Sequence, residues 1–257
     1  MTRRCLAVAA LSLLLSADVA SAQRRHSGGG HGGSMVGLGQ TWVDFQPRQT
    51  VSEERYAFNG PVYTFLFQQL GSEFQLMGGV DDRPWPEERL KEIRMLDVKV
   101  LTYRPLRLKN KTLATASTAR PHIGVPAAFH LHYRRSARRL VDEVDIEGFN
   151  VNLIALGSGL QGRYDWNDGT WTLQGRALAL AGYGFRSYGD GQGFSTIADV
   201  AVDVFRRDVF RSYGLFVRGH LRAQQWDMNL PRLYGEEGDI FLDYDDLAYG
   251  FTLGVTW

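Results

Sequence analysis

Large apolar residues alternate with small or polar residues through most of the second half of this sequence. A period of two is typical of a β-strand with one apolar and one polar face, because successive side chains point to opposite faces. Four such stretches have the apolar faces Trp171, Leu173, Ala177, Ala179, Ala181, Tyr183 and Phe185; Phe194, Ala198, Val200, Val202 and Val204; Tyr213, Leu215, Val217, Leu221 and Ala223; and Tyr249, Phe251, Leu253, Val255 and Trp257. The chain is therefore predicted to be all-β.

Turn signals divide the chain into ten predicted strands, and helical periodicity is confined to residues 86–93. The predicted strands cover residues 35–45, 59–70, 73–80, 94–107, 113–134, 146–166, 170–186, 193–206, 210–229 and 245–257. Connections after odd-numbered strands are long and charged, over 46–58, 81–93, 135–145, 187–192 and 230–244. Those after even-numbered strands are short, at 71–72, 108–112, 167–169 and 207–209. This asymmetry predicts an antiparallel up-and-down transmembrane β-barrel of about ten strands, within a range of about 8–12.

The first 22 residues have the form of a secretory signal peptide. Arg3 and Arg4 precede an apolar run, and Ala20 and Ala22 form a small-x-small cleavage site, so residues 1–22 are predicted to be removed. Residues 23–34 are rich in Gly, Ser and His and are predicted to be a flexible leader, which leaves 35–257 for the barrel. Cys5 is the only cysteine, so disulfides cannot stabilise the exported chain.

The strand faces opposite the apolar ones carry arginine, histidine and aspartate rather than the lysine and glutamate typical of a water-exposed surface. The predicted inward set is His130, His132, Arg134, Arg176, Asp199, Asp203, Arg218, His220 and Arg222. A small barrel fills its interior with side chains, and buried charges need partners, so an internal network of ion pairs is expected. Aromatic residues lie at the ends of the apolar faces, as at two membrane interfaces.

These features together resemble those of bacterial outer-membrane β-barrel proteins. In that class, a last strand with alternating apolar residues and a terminal aromatic residue is recognised by the barrel assembly machinery. Tyr249, Phe251, Leu253, Val255 and Trp257 match that pattern. The resemblance implies location in the outer membrane of a Gram-negative cell, with membrane lipid, lipopolysaccharide and the assembly machinery as partners. No nucleic-acid partner is expected, because loss of Arg3, Arg4 and Asp18 from 29 basic and 28 acidic residues leaves no net charge.

The sequence contains no motif for a cofactor, and no catalytic or metal site is predicted. His132 with Ser136 is the nearest approach to a catalytic pair, but no acid is evident to orient the histidine. Arg134, Arg135, Arg138 and Arg139 in the loop after the fifth strand could bind lipopolysaccharide phosphates, although a solvated loop is favoured. The acidic last loop, with Glu236, Glu237, Asp239, Asp243, Asp245 and Asp246, lacks calcium-loop spacing.

The favoured function is a structural or narrow-pore role at the cell surface. One alternative is an outer-membrane enzyme that hydrolyses or transfers lipid acyl chains, because some small barrels are such enzymes. A second alternative is a soluble periplasmic barrel that binds a ligand, since soluble barrels also alternate. The composition of the polar faces favours a membrane barrel over the soluble one.

Overall fold

The computed structural model describes residues 34–48, 56–69, 71–81, 90–105, 107–108, 111–112, 122–140, 149–166, 170–187, 191–210, 213–231 and 239–257. The signal-peptide prediction and the leader as far as residue 33 lie outside these ranges. The strands are β1 (Met35–Pro47), β2 (Phe58–Gln69), β3 (Ser72–Asp81), β4 (Leu90–Pro105), β5 (Arg107–Leu108), β6 (Lys111–Thr112), β7 (His122–Gly124), β8 (Pro126–Leu140), β9 (Phe149–Trp166), β10 (Trp171–Arg186), β11 (Gln192–Phe210), β12 (Tyr213–Pro231) and β13 (Asp239–Thr256). Within the described ranges, no helix has the length and apolar character needed to cross a bilayer.

Ten of these strands form a closed antiparallel barrel in sequence order, with β1, β2, β3, β4, β8, β9, β10, β11, β12 and β13 as successive neighbours. The first and last strands close the barrel, because β1 pairs with β13 from Met35–Thr256 to Pro47–Tyr244. The predicted fold class and strand count are therefore confirmed. We use "turn end" for the end with the β2–β3, β9–β10 and β11–β12 connections, and "loop end" for the opposite end.

The strands are staggered around the barrel. Successive paired residues are Met35, Gln68, Glu73, Leu101, His130, Ala155, Gly182, Ser195, Trp226, Tyr244 and Pro47. One circuit that starts at Met35 thus returns to β1 at Pro47, twelve residues further along the same strand. A stagger of this kind requires the strands to tilt from the barrel axis, typically by about 35–45°.

Two predicted boundaries around the fifth barrel strand are wrong. The tight turn predicted at 108–112 is instead part of a longer connection between β4 and β8, in which β5 pairs with β6. The strand predicted over 113–134 is shifted toward the C-terminus, because β8 extends to Leu140. The short strand β7 precedes β8 and pairs with β9 in the same register as β8 does. Val125 separates β7 from β8 directly before Pro126, the first residue of β8, which has no backbone N–H to donate to a neighbouring strand.

Several loop-end strands are longer than predicted, for one physical reason. Residues 90–93, predicted as part of a helical turn in a loop, begin β4, while β12 ends at Pro231 and β13 begins at Asp239. Near the loop end both faces of a strand include polar residues, such as outward Asp227 on β12. Hydropathy alternation therefore stops before the hydrogen-bonded strand does.

The interior of the barrel contains the charges, and the outer wall is apolar. On β12, Leu215 is 50% exposed and faces outward, whereas Arg218 is 2% exposed and faces inward. The inward side chains of β12 change along the strand from apolar Phe216 near the turn end, through charged residues, to Trp226 near the loop end. The barrel thus has apolar, ionic and aromatic layers stacked along its axis.

Candidate functional site: the charged interior and the apolar outer wall

The first ionic group in the interior is centred on Glu73, which β3 directs inward between outward Phe74 and Ser72. We call it the Glu73 cluster; it consists of Glu73, Lys99, Arg176, Asp199, Asp203 and Arg218, all of them buried. Glu73 accepts hydrogen bonds from Arg176 Nη1 at 2.8 Å and Arg218 Nη1 at 2.6 Å, and Lys99 Nζ lies 3.0 Å away. One carboxylate therefore joins three cations that come from three different strands.

The other two carboxylates of the Glu73 cluster complete its charge balance. Asp199 accepts from Lys99 Nζ at 3.1 Å and from Arg176 Nη2 at 3.0 Å. The Asp203 carboxylate accepts hydrogen bonds from Arg218 Nε at 2.5 Å and from Arg218 Nη2 at 3.0 Å. This bidentate contact matches the planar geometry of a guanidinium. The cluster therefore holds three cations and three carboxylates and carries no net formal charge.

A second group lies nearer the loop end and is centred on Asp97 of β4. This Asp97 cluster consists of Asp97, His132, Arg134, Arg222 and Asp246. Asp97 Oδ2 accepts from Arg134 Nη2 at 2.7 Å and from Arg222 Nη2 at 2.8 Å, and His132 Nε2 lies 2.8 Å from the same oxygen. Asp246 Oδ2 lies 2.8 Å from Arg134 Nη1. The formal charges of the two arginines and the two carboxylates therefore sum to zero, as they do in the Glu73 cluster.

The histidines lie between and beside these charges. His130 and His132 stack with ring centroids 5.4 Å apart, and His132 also lies 5.4 Å from the ring of Trp226. His220 Nε2 is 2.9 Å from the Thr41 hydroxyl oxygen. His132 therefore lies between the Asp97 carboxylate and the aromatic ring of Trp226, and His130 stacks on its ring.

The aromatic layer lies across the loop end of the interior. Phe45 stacks on Tyr244 at 4.5 Å between ring centroids, and Phe149 meets Phe45 edge-on at 4.9 Å. Trp226 contacts Phe149 at 5.5 Å, and the Arg134 guanidinium lies 5.0 Å from the centre of the Phe45 ring. These packed rings occupy the bore directly above the Asp97 cluster.

All nine residues of the predicted inward set lie in the interior, and eight of them are buried: His130, His132, Arg134, Arg176, Asp199, Asp203, Arg218 and Arg222. His220 is partly buried. The prediction missed Glu73, Asp97, Lys99 and Asp246, which supply the remaining charges of both clusters. Two of these four, Asp97 and Lys99, could have been predicted, because they alternate with the apolar residues Leu96, Val98 and Val100.

Two predicted loop-surface features require correction. Arg134 was predicted both in the inward set and among the loop arginines, and only the inward placement is correct because it is buried in the interior. Arg135 faces outward, and the side chains of Arg138 and Arg139 lie outside the described part. Asp246, expected in an acidic loop, is buried beside Arg134. Glu236 and Glu237 lie outside the described residues. The error follows from the polar outer faces of β8 and β13 near the loop end.

The pairing of His132 with Ser136 also differs from expectation. An acid does contact the histidine, since Asp97 accepts from its ring, but the Ser136 hydroxyl donates to the carbonyl of Tyr56 at 2.8 Å. Four residues along one strand separate the two side chains by about 13 Å. This pair therefore lacks the geometry of a nucleophile with its base. Among the described residues, no group of three or more histidines, cysteines or acids is arranged to hold a metal.

The outer wall is an apolar band between two sets of aromatic residues. Toward the loop end the outward aromatics include Trp42, Tyr63, Tyr183, Phe185, Phe194 and Tyr249; toward the turn end they include Tyr164, Trp166, Trp171, Phe210, Tyr213 and Trp257. On β12 the apolar outward residues run from Tyr213 to Ala223. Ten rises of about 3.3 Å, on a strand tilted by about 40°, project to about 25 Å. Outer-membrane barrels have an apolar band about 25 Å tall.

Comparison with known proteins gives only distant structural likenesses. No protein-family model matches the sequence, and no curated protein matches it. The outer-membrane protease OmpT from Escherichia coli is 11% identical over 88% of this chain and 95% of its own, with a TM-score of 0.40. The P. putida toluene transporter TodX is 8% identical over 88% and 90%, with a TM-score of 0.25. Both similarities are low, and the function of this chain has to be inferred from its own residues.

Proposed function

We propose that this chain is an integral outer-membrane β-barrel that closes its own bore and has a structural role at the cell surface. The observation that carries the proposal is the inverted polarity of the barrel: paired charges lie inside, and a continuous apolar wall is exposed outside. Contiguous exposed apolar surface of this extent is not stable in water. It is stable against lipid, where a closed barrel also satisfies every strand's backbone hydrogen bonds.

The interior supports a structural role over that of an open pore. Both ionic clusters are neutral and desolvated, and each charge has partners of opposite sign within hydrogen-bond distance. Removing one member leaves the others uncompensated, so the clusters resist opening. The aromatic layer of Phe45, Phe149, Trp226 and Tyr244 adds a second obstruction near the loop end. An ion that crossed the barrel would have to displace both layers.

The proposal extends to assembly and location. The outward residues Tyr249, Phe251, Leu253 and Val255 lie on β13, the strand that closes the barrel on β1, and Trp257 follows directly after the end of that strand. We assign to them the assembly signal recognised by the barrel assembly machinery. The loop end then faces the cell exterior, and the loop-end edge of the apolar wall faces lipopolysaccharide.

Reconstitution in planar bilayers tests this function. The purified protein, inserted into a lipid bilayer under applied voltage, is expected to show no steady conductance. Trp226→Ala combined with Phe149→Ala, which removes two rings of the aromatic layer, serves as the comparison and is expected to raise leakage. Large, steady, porin-like conductance from the unmodified protein would contradict the closed bore. Extraction of the native protein by low-salt buffer without detergent would contradict membrane insertion itself.

A further inference from the structure

One amide side chain points outward from the apolar wall, where lipid is expected. Gln40 lies on β1 between Leu38 and Trp42, and its side chain is exposed. Because Trp42 is one of the loop-end aromatic residues, the Gln40 amide lies inside the apolar band. Among the described residues, this amide has no hydrogen-bond partner, whereas outward Ser158 donates to the carbonyl of Pro126 at 2.7 Å. An amide in hydrocarbon is unfavourable unless it is hydrogen-bonded, so Gln40 requires a partner from outside the barrel.

Four large side chains surround Gln40 on the outer wall. Tyr63 and Phe251 lie directly opposite Gln40 on the two neighbouring strands, and Leu38 and Trp42 lie two residues before and after it on β1. Tyr63 is 80% exposed and Leu38 is 68% exposed. We call these five residues the Gln40 patch. It is an exposed apolar surface with one amide at its centre.

We propose that the Gln40 patch is the contact surface of a homodimer within the membrane. The second copy is related to the first by a two-fold axis that runs along the membrane normal and passes between the two Gln40 side chains. Such an axis relates two barrels inserted in the same direction and brings the same patch of each together. A side-chain amide both donates and accepts, so the two Gln40 amides form two reciprocal hydrogen bonds. The proposal rests on the membrane insertion proposed above.

The tilt of the strands makes the rest of the Gln40 patch complementary to itself. If strands about 4.8 Å apart are tilted by about 40°, Tyr63 lies about 3 Å nearer the loop end than Gln40 and about 4 Å to one side of it. Trp42 lies about 5 Å nearer the loop end and about 4 Å to the other side. The two-fold axis exchanges the sides, so Tyr63 meets the partner's Trp42, an aromatic pair. By the same geometry on the turn-end side of Gln40, Leu38 meets the partner's Phe251.

Charged side chains do not oppose this contact, since the Gln40 patch contains none. Among the described outward residues beyond the apolar band, Asp44 on β1 and Arg94 on β4 lie on opposite sides of the axis, so Asp44 approaches the side of the partner's Arg94. The tilt displaces each Asp44 by about 8 Å from the axis, so the two Asp44 residues are about 17 Å apart, beyond the Debye length of about 8 Å. The outward acids Asp227, Asp243 and Asp245 lie on β12 and β13, still further from the axis.

The amide decides between a second copy and a lipid as the occupant. A lipid acyl chain has no donor or acceptor for Gln40. The headgroups lie beyond Trp42 and Tyr63, which separate Gln40 from the loop-end surface of the membrane. A second copy supplies both a donor and an acceptor at the depth of Gln40 itself.

Sedimentation equilibrium of the full protein in detergent micelles tests the proposal. The unmodified protein is expected to form a concentration-dependent dimer. Gln40→Leu is expected to raise the dimer dissociation constant about tenfold, the typical effect of losing a hydrogen-bonded side-chain contact within a membrane. Gln225→Leu is the matched control, because Gln225 is outward on β12 beyond the apolar band, where water hydrogen-bonds its amide. Heat-modifiable migration shows whether each barrel is folded: a folded monomer contradicts the dimer alone, whereas a protein that does not insert contradicts the proposed function.

Cross-linking in isolated outer membranes provides a second measurement. Cys5 lies in the predicted signal peptide, so Gln40→Cys introduces the one cysteine of the predicted mature chain. Because a residue on a two-fold axis meets its own copy, oxidation of Gln40→Cys is expected to give a disulfide-linked dimer, and oxidation of Gln225→Cys is not. An unmodified protein that stays monomeric, a dimer unaffected by Gln40→Leu, or equal cross-linking at the two positions would overturn the proposal. So would a lipid that native mass spectrometry finds on the unmodified monomer and not on Gln40→Leu.

Discussion

Replacement of Glu73 by glutamine is expected to destabilise the barrel strongly, although the two side chains have nearly the same shape. Glu73 accepts from Arg176 and Arg218 and contacts Lys99, all within 3.1 Å. Glu73→Gln changes the Glu73 cluster from neutral to one uncompensated positive charge, and turns an amide N–H₂ toward the guanidinium groups. Removing one member of a buried ion cluster costs about 3–5 kcal/mol.

The lower part of that range is the better expectation, because each cation keeps another carboxylate. Asp199 still accepts from Lys99 and Arg176, and Asp203 still accepts from Arg218. We therefore expect the free energy of unfolding to fall by about 3 kcal/mol.

Urea unfolding in detergent micelles, followed by tryptophan fluorescence, measures this change. Glu92→Gln is the matched control, because Glu92 pairs with Arg94 at 2.6 Å and the Arg94 side chain is 56% exposed. Because the Arg94 side chain is in solvent, although that of Glu92 is only 15% exposed, this pair is expected to contribute about 0–1 kcal/mol. Equal unfolding midpoints for Glu73→Gln and Glu92→Gln would refute the claim that the Glu73 cluster stabilises the interior.

Three further predictions concern the wall, the seam and the last strand. Val217→Arg places a charge against lipid near the middle of the apolar band and is expected to cost about 2–4 kcal/mol of unfolding free energy, whereas Val217→Phe, measured by the same urea titration, is expected to be tolerated. Gly39→Ala is expected to impair closure because its Cβ would collide with the carbonyl oxygen of Phe251 on β13, while Gly219→Ala meets nothing within 4 Å and is expected to fold normally; heat-modifiable migration on gels compares them. Deletion of Trp257 is expected to block insertion by removing the terminal aromatic residue of the proposed assembly signal, and a normal amount of folded protein in isolated outer membranes would contradict that role.

The barrel and its faces were predictable because one physical requirement acts on every strand. A wall with one apolar and one polar face imposes a period of two, and residues such as Leu215 and Arg218 follow it in the sequence as they do in the structure. The strand count followed from that pattern combined with the turn signals. The bounds of the strand around Pro126 were predicted wrongly because residues 108–121 show no comparable alternation of apolar and polar residues.

The charged interior was predictable only in part. Alternation identifies which residues face inward, so Arg176 and Asp199 were found in long, regular strands. Which inward charges meet depends on the stagger of the strands: Glu73 on β3 reaches Arg218 on β12 across the bore, and nothing local in either strand specifies that pairing. Asp246 was predicted to lie in a loop because β13 extends toward the loop end beyond the apolar band, where hydropathy alternation no longer marks the strand.

Spin labels along the outer face of β12 test the central claim most directly, because they report which side of the wall meets lipid. Cysteine substitutions at Leu215, Val217 and Leu221 lie within the apolar band, and one at Asp227 lies beyond it. Cys5 is the only native cysteine and lies in the predicted signal peptide, so the labels are site-specific. In reconstituted bilayers, the three band positions are expected to be accessible to oxygen and shielded from a water-soluble nickel complex, with the opposite behaviour at Asp227. Access of the nickel complex to Val217 equal to its access to Asp227 would contradict a lipid-facing wall.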